Sequence, residues 1–136
     1  MKRLISTVVL VTLIFMLVVP LNASEIVPYY DGVSTGLAKL SISNLGVALC
    51  TTTFDLRYSL ISADIEMKLL CYETSGWTEV KTWSEHFGPS NQRVLAMNKR
   101  YAVPKNGIYR VAVSADIETS AGTDHLEPYS ISVEYP

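Results

Sequence analysis

The sequence has little basic charge. Lysine and arginine number 11 against 13 aspartate and glutamate residues, for a formal net charge of −2 at pH 7. Residues 1–23, which we expect to be removed, contain two of the basic residues and no acid, so the remaining 113 residues carry 9 bases, 13 acids and a net charge of −4. Such a chain has no basic cluster to hold a phosphate backbone or an anionic lipid surface. We therefore expect no nucleic-acid partner, and no membrane contact except through an uncleaved N-terminal segment.

Residue patterns typical of metal sites are also absent. The chain has two histidines, His86 and His125, and they do not form a His-x-x-x-His motif, so nothing indicates zinc. The EF-hand loop does not occur. We expect no catalytic residues, no metal and no cofactor.

Cysteine is limited to Cys50 and Cys71. Neither lies in a Cys-x-x-Cys motif or in a metal-binding spacing. An even number of cysteines in an exported chain favours a disulfide, and closing a loop of about 20 residues would stabilise the fold by roughly 3 kcal/mol in the chain-entropy model. The alternative is two buried free thiols, because cysteine packs as a small hydrophobe. We expect the Cys50–Cys71 disulfide, on the compartment argument alone.

The longest apolar run lies at the N-terminus. Two basic residues precede the apolar stretch 4–19, and the polar, small-residue segment 20–24 follows it. This order is that of a secretory signal peptide. The stretch is shorter than the roughly 20 residues that cross a bilayer, which favours cleavage after Ala23 over an uncleaved anchor. We predict a signal peptide over residues 1–23 and a secreted, extracellular protein.

Beyond residue 36, apolar and polar residues alternate with a period of two, which predicts β-strands. Six to eight short strands with turn signals about every 8–12 residues predict an all-β, antiparallel β-sandwich of immunoglobulin-like or Greek-key type over residues 37–136. Residues 24–36 form an extended lead-in, and a helix over 56–70 is the main alternative. The clearest strand patterns cover residues 37–43, 47–54, 65–72, 77–83, 92–97, 109–117 and 127–135.

One turn stands out by its chemistry. Pro104, Asn106 and Gly107 supply the backbone angles of a chain reversal, and Tyr109 opens the strand that follows. Tyrosine in this place is typical of the tyrosine corner of Greek-key sandwiches, in which its hydroxyl binds the backbone a few residues upstream. We predict that Tyr109 locks the fold.

The tryptophans are the best candidates for a binding surface. Trp77 and Trp83 are six residues apart, so a regular strand places both on one face. If Val80 points inward, that face is partly exposed, as in carbohydrate-binding modules that stack aromatic rings on sugars, and Tyr72 would extend it. The alternative is that a bulge or the strand ends turn at least one tryptophan into the core, where large aromatic side chains usually pack.

The chain also contains three short motifs, which are Gly46-x-Ala48-x-Cys50, Gly76-Trp77-x-x-Val80-x-x-Trp83 and Gly107-x-Tyr109-Arg110-Val111. With these motifs and the signal peptide, most of residues 37–135 resembles a group of small secreted proteins of Gram-positive, clostridia-like bacteria that carry a domain of unknown function. The resemblance implies a compact exported β-sandwich, and it implies no activity and no functional residues.

These observations together predict a secreted, non-catalytic β-sandwich module that binds glycans or a cell-surface protein, with Trp77, Trp83 and Tyr72 as candidate binding residues. The alternative is a structural or assembly protein that associates through a sheet edge or an apolar patch. A small secreted hydrolase or inhibitor has the least support, although the members of a catalytic triad need not be neighbours in sequence. No pattern indicates an oligomeric state.

Overall fold

The computed structural model describes residues 25–26 and 30–136. The predicted signal peptide and its cleavage site lie outside these residues. None of the described residues belongs to a helix long and apolar enough to cross a membrane. They form nine strands, which are β1 (Glu25–Ile26), β2 (Val33–Ile42), β3 (Val47–Leu56), β4 (Leu60–Glu73), β5 (Gly76–Phe87), β6 (Val94–Ala102), β7 (Gly107–Thr119), β8 (Gly122–Leu126) and β9 (Val133–Tyr135).

The strands form two antiparallel sheets. Sheet A has the order β1-β2-β3-β6, and sheet B has the order β5-β4-β7-β8, with β9 on the same edge of β7 as β8. The chain changes sheet after β3, after β5 and after β6, which is the Greek-key connection of immunoglobulin-like sandwiches. The prediction of an all-β sandwich is confirmed, and the segment that could have been a helix, 56–70, contributes most of its residues to β4.

The core lies between the sheets and is filled by alternate residues of the central strands. In β4 and β7 every second residue is buried over most of the strand length. Removing each such aliphatic side chain from water contributes about 1.5–3 kcal/mol. The residues between them, mostly polar, point away from sheet A and form the outer face of sheet B. The buried hydrophobic residues in these two strands are Leu60, Ala63, Ile65, Met67, Leu69, Cys71, Tyr109, Val111, Val113, Ala115 and Ile117.

The sandwich begins earlier than the alternation in the sequence indicated. β2 starts at Val33, four residues before the expected start at residue 37. Val33 is almost fully buried and pairs with Leu56 at the end of β3. Parts of the expected lead-in, residues 25–26 and 33–36, are therefore strand.

The C-terminal strand is interrupted, contrary to the continuous strand expected over 127–135. Pro128 has no N–H to donate, and its carbonyl accepts a hydrogen bond from the N–H of Val113 at 2.9 Å. The hydroxyl of Ser130, which is buried, accepts a hydrogen bond from the N–H of Val111 at 2.8 Å. Tyr129 is the partner of Ala112 and Val133 the partner of Tyr109, so β7 has two residues between its partners and the C-terminal segment has three. This extra residue places Tyr129 on the exposed face, whereas the alternation had placed it on the same face as Val133.

Tyr109 is fully buried at the start of β7. Its hydroxyl donates a hydrogen bond to the carbonyl of Lys105, at 2.6 Å. A bond from a buried tyrosine back to the turn four residues upstream is the contact of a tyrosine corner. The hydrogen bond that a fold-locking role requires is therefore present.

The two cysteines are free thiols, both buried, in opposite sheets. The structure does not contain the disulfide expected between Cys50 and Cys71. Cys50 is six residues from the end of β3 and Cys71 is eleven residues from the start of β4. Because these strands run in opposite directions from their connection, the two positions are offset by about five residues, on the order of 15 Å along the strands. Burial raises the pKa of the Cys50 thiol to about 12.

Candidate functional site

A β-bulge in β5 separates the two tryptophans. The register passes directly from the pair Leu69–Lys81 to the pair Leu70–Glu79, so Val80 has no partner in β4. One extra residue reverses the alternation of side chains beyond it. Positions six apart across the bulge therefore lie on opposite faces. Of the two interpretations of this pair, the shared face is wrong, and the one in which a bulge turns at least one tryptophan into the core describes the structure.

Trp83 faces the core. It lies opposite Met67, which is fully buried, and its ring meets Tyr101 of β6 edge to face, with the ring centroids 6.3 Å apart. Lys99 and Glu85 form an ion pair between the same two strands. These contacts join sheet B to sheet A along one side of the sandwich, so Trp83 is a packing residue.

Trp77 lies on the outer face of sheet B. Tyr72, its partner in β4, meets it edge to face with centroids 5.3 Å apart. The guanidinium of Arg110, in β7, lies over the indole with Cζ 4.3 Å from the ring centroid. The same guanidinium is 5.5 Å from the ring centroid of Tyr129. We call these four residues, Tyr72, Trp77, Arg110 and Tyr129, the aromatic patch.

The aromatic patch is open to solvent. Tyr72 is 54% exposed and Tyr129 is 42% exposed, and the neighbouring Ile108 of β7 is 41% exposed. In the described part of the chain only eight large hydrophobic side chains are exposed, and these three are among them. Exposed apolar surface concentrated in one place is the usual mark of a binding surface.

Arg110 brings hydrogen-bonding capacity to the patch. It forms no ion pair with any described residue, and its Nε is buried without a hydrogen-bond partner. A buried donor without an acceptor costs about 1–3 kcal/mol. Aromatic rings on two sides hold the cation in place. A ligand oxygen that reached Nε would remove this cost.

A shallow cavity of about 240 Å³ adjoins the patch beside Arg110 and Tyr129. Its wall includes Glu66, Lys68 and Glu127. Lys68 Nζ lies 3.4 Å from a carboxylate oxygen of Glu66. The patch thus combines ring surfaces with adjacent groups that donate and accept hydrogen bonds, which is the composition of small-ligand sites.

A second cluster crosses the outer face of sheet B as a single row of cross-strand partners. His86 lies opposite Asp64, Asp64 opposite Asp116, and Asp116 opposite His125. In each of the two outer pairs the histidine Nδ1 is 2.7 Å from the aspartate Oδ1. The carboxylates of Asp116 and then Glu127, which lies 3.2 Å from Nε2, raise the pKa of His125. We call the four partners the His–Asp row.

Sequence patterns did not find this row. His86 and His125 both lie in strands, at the edges of sheet B. Only the register between four strands brings them into line with the aspartates. Among the described residues, no three His, Cys, Asp or Glu side chains surround a common point closely enough to hold a metal ion as they stand.

Arg110 and Tyr129 were missed for other reasons. Arg110 belongs to the outer face of β7, where its stacking partner Trp77 comes from another strand. Tyr129 had been assigned to a regular strand, but an extra residue between it and Val133 places the two on opposite faces. The one sequence signal for Arg110 was its polar position in the alternating pattern of β7, which places it on the outer face of the sheet.

Comparisons with known proteins identify no family. No family model matches the chain, and no curated protein matches it. Among solved structures, it is similar to the CARDB domain of the PF1109 protein from Pyrococcus furiosus, solved in complex with di-metal ions. The TM-score is 0.37 and the identity 13%, over 76% of this chain and 93% of that one. A likeness this weak says nothing about ligands or residues, and the resemblance to small secreted proteins of clostridia-like bacteria stays a prediction.

Proposed function

We propose that the chain is a secreted, non-catalytic β-sandwich module that binds glycans through the aromatic patch. The observation that carries the proposal is the group of exposed rings around Trp77 and Arg110 on the outer face of sheet B. Aromatic rings pack against the C–H faces of sugars, and nearby charged side chains bind their hydroxyl groups. Secretion is supported by the sequence pattern of residues 1–23.

The roles within the patch follow from its geometry. One face of the Trp77 indole is covered by the Arg110 guanidinium, so Trp77 mainly holds the arginine in position. Tyr72 and Tyr129 are the more exposed rings and would contact the sugar directly. Trp83 has no part in the site because it packs towards Tyr101.

The test is to screen the purified, untagged secreted protein on a glycan array and to measure its best ligand by calorimetry. We expect Tyr72→Ala and Trp77→Ala each to weaken binding at least tenfold, equivalent to about 1.4 kcal/mol. The matched control is Tyr58→Ala, because Tyr58 is also exposed, at 45%, but lies in the connection between β3 and β4. Binding that survives the double variant Tyr72→Ala/Trp77→Ala would overturn the proposal, and so would binding of a surface protein alone.

A second candidate function, assembly through a sheet edge, has one observation in its favour. β6 is the outer strand of sheet A, and its nine residues pair with β3 in unbroken register. β5, the outer strand of sheet B, is less suited to assembly, because its bulge disfavours edge-to-edge pairing. Light scattering at high concentration distinguishes the functions: a stable dimer that Val94→Lys disrupts supports assembly, and a strict monomer contradicts it.

A further inference from the structure

The cavity beside the aromatic patch is bounded by four charged side chains, which are Glu66, Lys68, Arg110 and Glu127. Lys68 Nζ lies 3.4 Å from Glu66 Oε1, and Nε2 of His125 lies 3.2 Å from Glu127 Oε1. Arg110 has no anionic partner among the described residues. Each carboxylate of the wall is therefore engaged by a basic group, whereas the guanidinium is left for a ligand.

The same guanidinium lacks a hydrogen bond along one edge. Among the side-chain nitrogen and oxygen atoms that are buried in the described residues, Nε of Arg110 is the one without a partner. Native structures contain few such atoms, and an unoccupied ligand position is one cause of them. Nε and the adjacent Nη form an edge that matches an oxyanion, through two parallel N–H···O bonds. An oxyanion would therefore supply both the missing acceptor and the missing charge.

The rings around Arg110 define how such a group would approach. The indole of Trp77 covers one face of the guanidinium, with Cζ 4.3 Å from the ring centroid. Tyr129 belongs to the cavity wall and Trp77 does not, so a group in the cavity meets the guanidinium away from the indole. Tyr129 is 42% exposed, and its ring therefore has room to turn and admit an oxygen to Nε. Rings on two sides also keep water from the contact, which strengthens the attraction between the charges.

We propose that the glycan bound by the aromatic patch is acidic, and that a carboxylate or sulfate group of the sugar binds the Nε edge of Arg110. This inference rests on the proposed function and adds the charge of the ligand to it. A neutral sugar offers hydroxyl groups alone, which accept hydrogen bonds but leave the charge of Arg110 uncompensated. Acidic sugars should therefore bind more tightly than neutral sugars of the same shape.

The test compares acidic oligosaccharides with uncharged forms of the same sugars. The probes are trigalacturonate with its methyl ester, and a sulfated galactan oligosaccharide with its desulfated form, each titrated by calorimetry into the untagged protein. We expect the acidic member of at least one pair to bind about tenfold more tightly or better, and the pair with the larger ratio identifies the oxyanion. Binding of neutral glycans that requires Tyr72 and Trp77 but gains nothing from an acidic group would overturn this inference and leave the proposed function standing. Failure of these probes and of every array glycan to bind would overturn both.

Two substitutions of Arg110 separate recognition of charge from packing. Arg110→Met keeps a long side chain beside the rings but removes the charge and the donors, so it should bind the acidic and uncharged probes equally. Arg110→Lys keeps the charge without the two-donor edge and should lose most of the preference for the acidic probe. Arg100→Met is the control, because Arg100 is an exposed arginine of β6 in sheet A, and it should leave the preference unchanged.

The ratio of the two affinities is the decisive quantity, because a general loss of packing at Arg110 would weaken both probes alike. Thermal melting shows whether each variant is folded. A preference for the acidic probe that is the same in Arg110→Met, Arg110→Lys and the wild type would contradict the proposal.

Discussion

The hydroxyl of Tyr109 and the carbonyl of Lys105 are joined by a 2.6 Å hydrogen bond that ties β7 to the turn before it. The tyrosine ring is fully buried, so this hydroxyl has no access to water as an alternative partner. The bond therefore fixes where the turn ends and where β7 enters the core.

Replacing Tyr109 tests how much this contact contributes. We expect Tyr109→Phe to lower the free energy of unfolding by about 1 kcal/mol through the lost hydrogen bond, and Tyr109→Ala to lower it by about 3–5 kcal/mol through the cavity as well. Urea unfolding measures both. Lys105→Ala is the control, because the acceptor is a backbone atom and remains. A change near zero in Tyr109→Phe would show that the bond does not lock the fold.

The bulge at Val80 predicts unequal effects of the two tryptophans on stability. Trp83→Ala should lower the free energy of unfolding by about 2–4 kcal/mol, because a half-buried ring is removed from the core. Trp77→Ala should lower it by about 1 kcal/mol or less, since its main contact is the cation–π pair with Arg110. Chemical denaturation should be followed by circular dichroism, because each substitution removes a tryptophan whose fluorescence would otherwise be measured. Equal losses would contradict the opposite orientation of the rings.

The buried serine of the interrupted C-terminal strand gives a third prediction. Ser130→Ala removes the acceptor of the Val111 N–H and leaves that donor buried, which we expect to cost about 1–3 kcal/mol of unfolding free energy. Ser132→Ala, at an exposed position two residues further on, should change it by less than about 0.5 kcal/mol. Thermal and urea unfolding should rank the variants in this order. If both variants unfold like the wild type, the interruption is not held by Ser130.

The fourth prediction concerns the reactivity of the two cysteines, and its measurement also shows whether a disulfide forms. Cys50 and Cys71 should not react with Ellman's reagent in the native protein at pH 8, because both are buried and the pKa of Cys50 is raised to about 12, so that the reactive thiolate is scarce. In urea without reductant, two thiols per chain should react. No reaction in urea would show instead that Cys50 and Cys71 are joined by a disulfide.

The fold could be predicted because its signal is local. Alternation of apolar and polar residues identifies strands such as β4 and β7 without knowledge of their neighbours, and two half-buried sheets must pack face to face. The limits appear at single residues. The extra residue at Val80 is recognisable only from the register with β4, and the one between Tyr129 and Val133 only from the register with β7.

The site was harder to predict because it depends on pairing between strands. Tyr72 and Trp77 were found because aromatic residues are conspicuous, whereas Arg110 and Tyr129 join them from strands distant in sequence. The His–Asp row had no signal at all in the order of residues: Asp64 and His125 are 61 positions apart. Residues on one face of a sheet become neighbours only when strand order and register are both known.

Because of the bulge at Val80, the two halves of β5 direct their tryptophans to opposite faces, and residues in one half can be substituted without affecting the other. On the C-terminal side of the bulge, Trp83 is constrained by the shape of the interior. On its N-terminal side, Trp77 contacts Tyr72 and Arg110 on the outer face and is not constrained by the core. Substitutions near Trp77 can therefore change the outer surface of sheet B while the stability of the sandwich is kept. In a relative that lacked this single residue, one half of β5 would be turned over, so that Trp77 would face the interior or Trp83 would face the solvent.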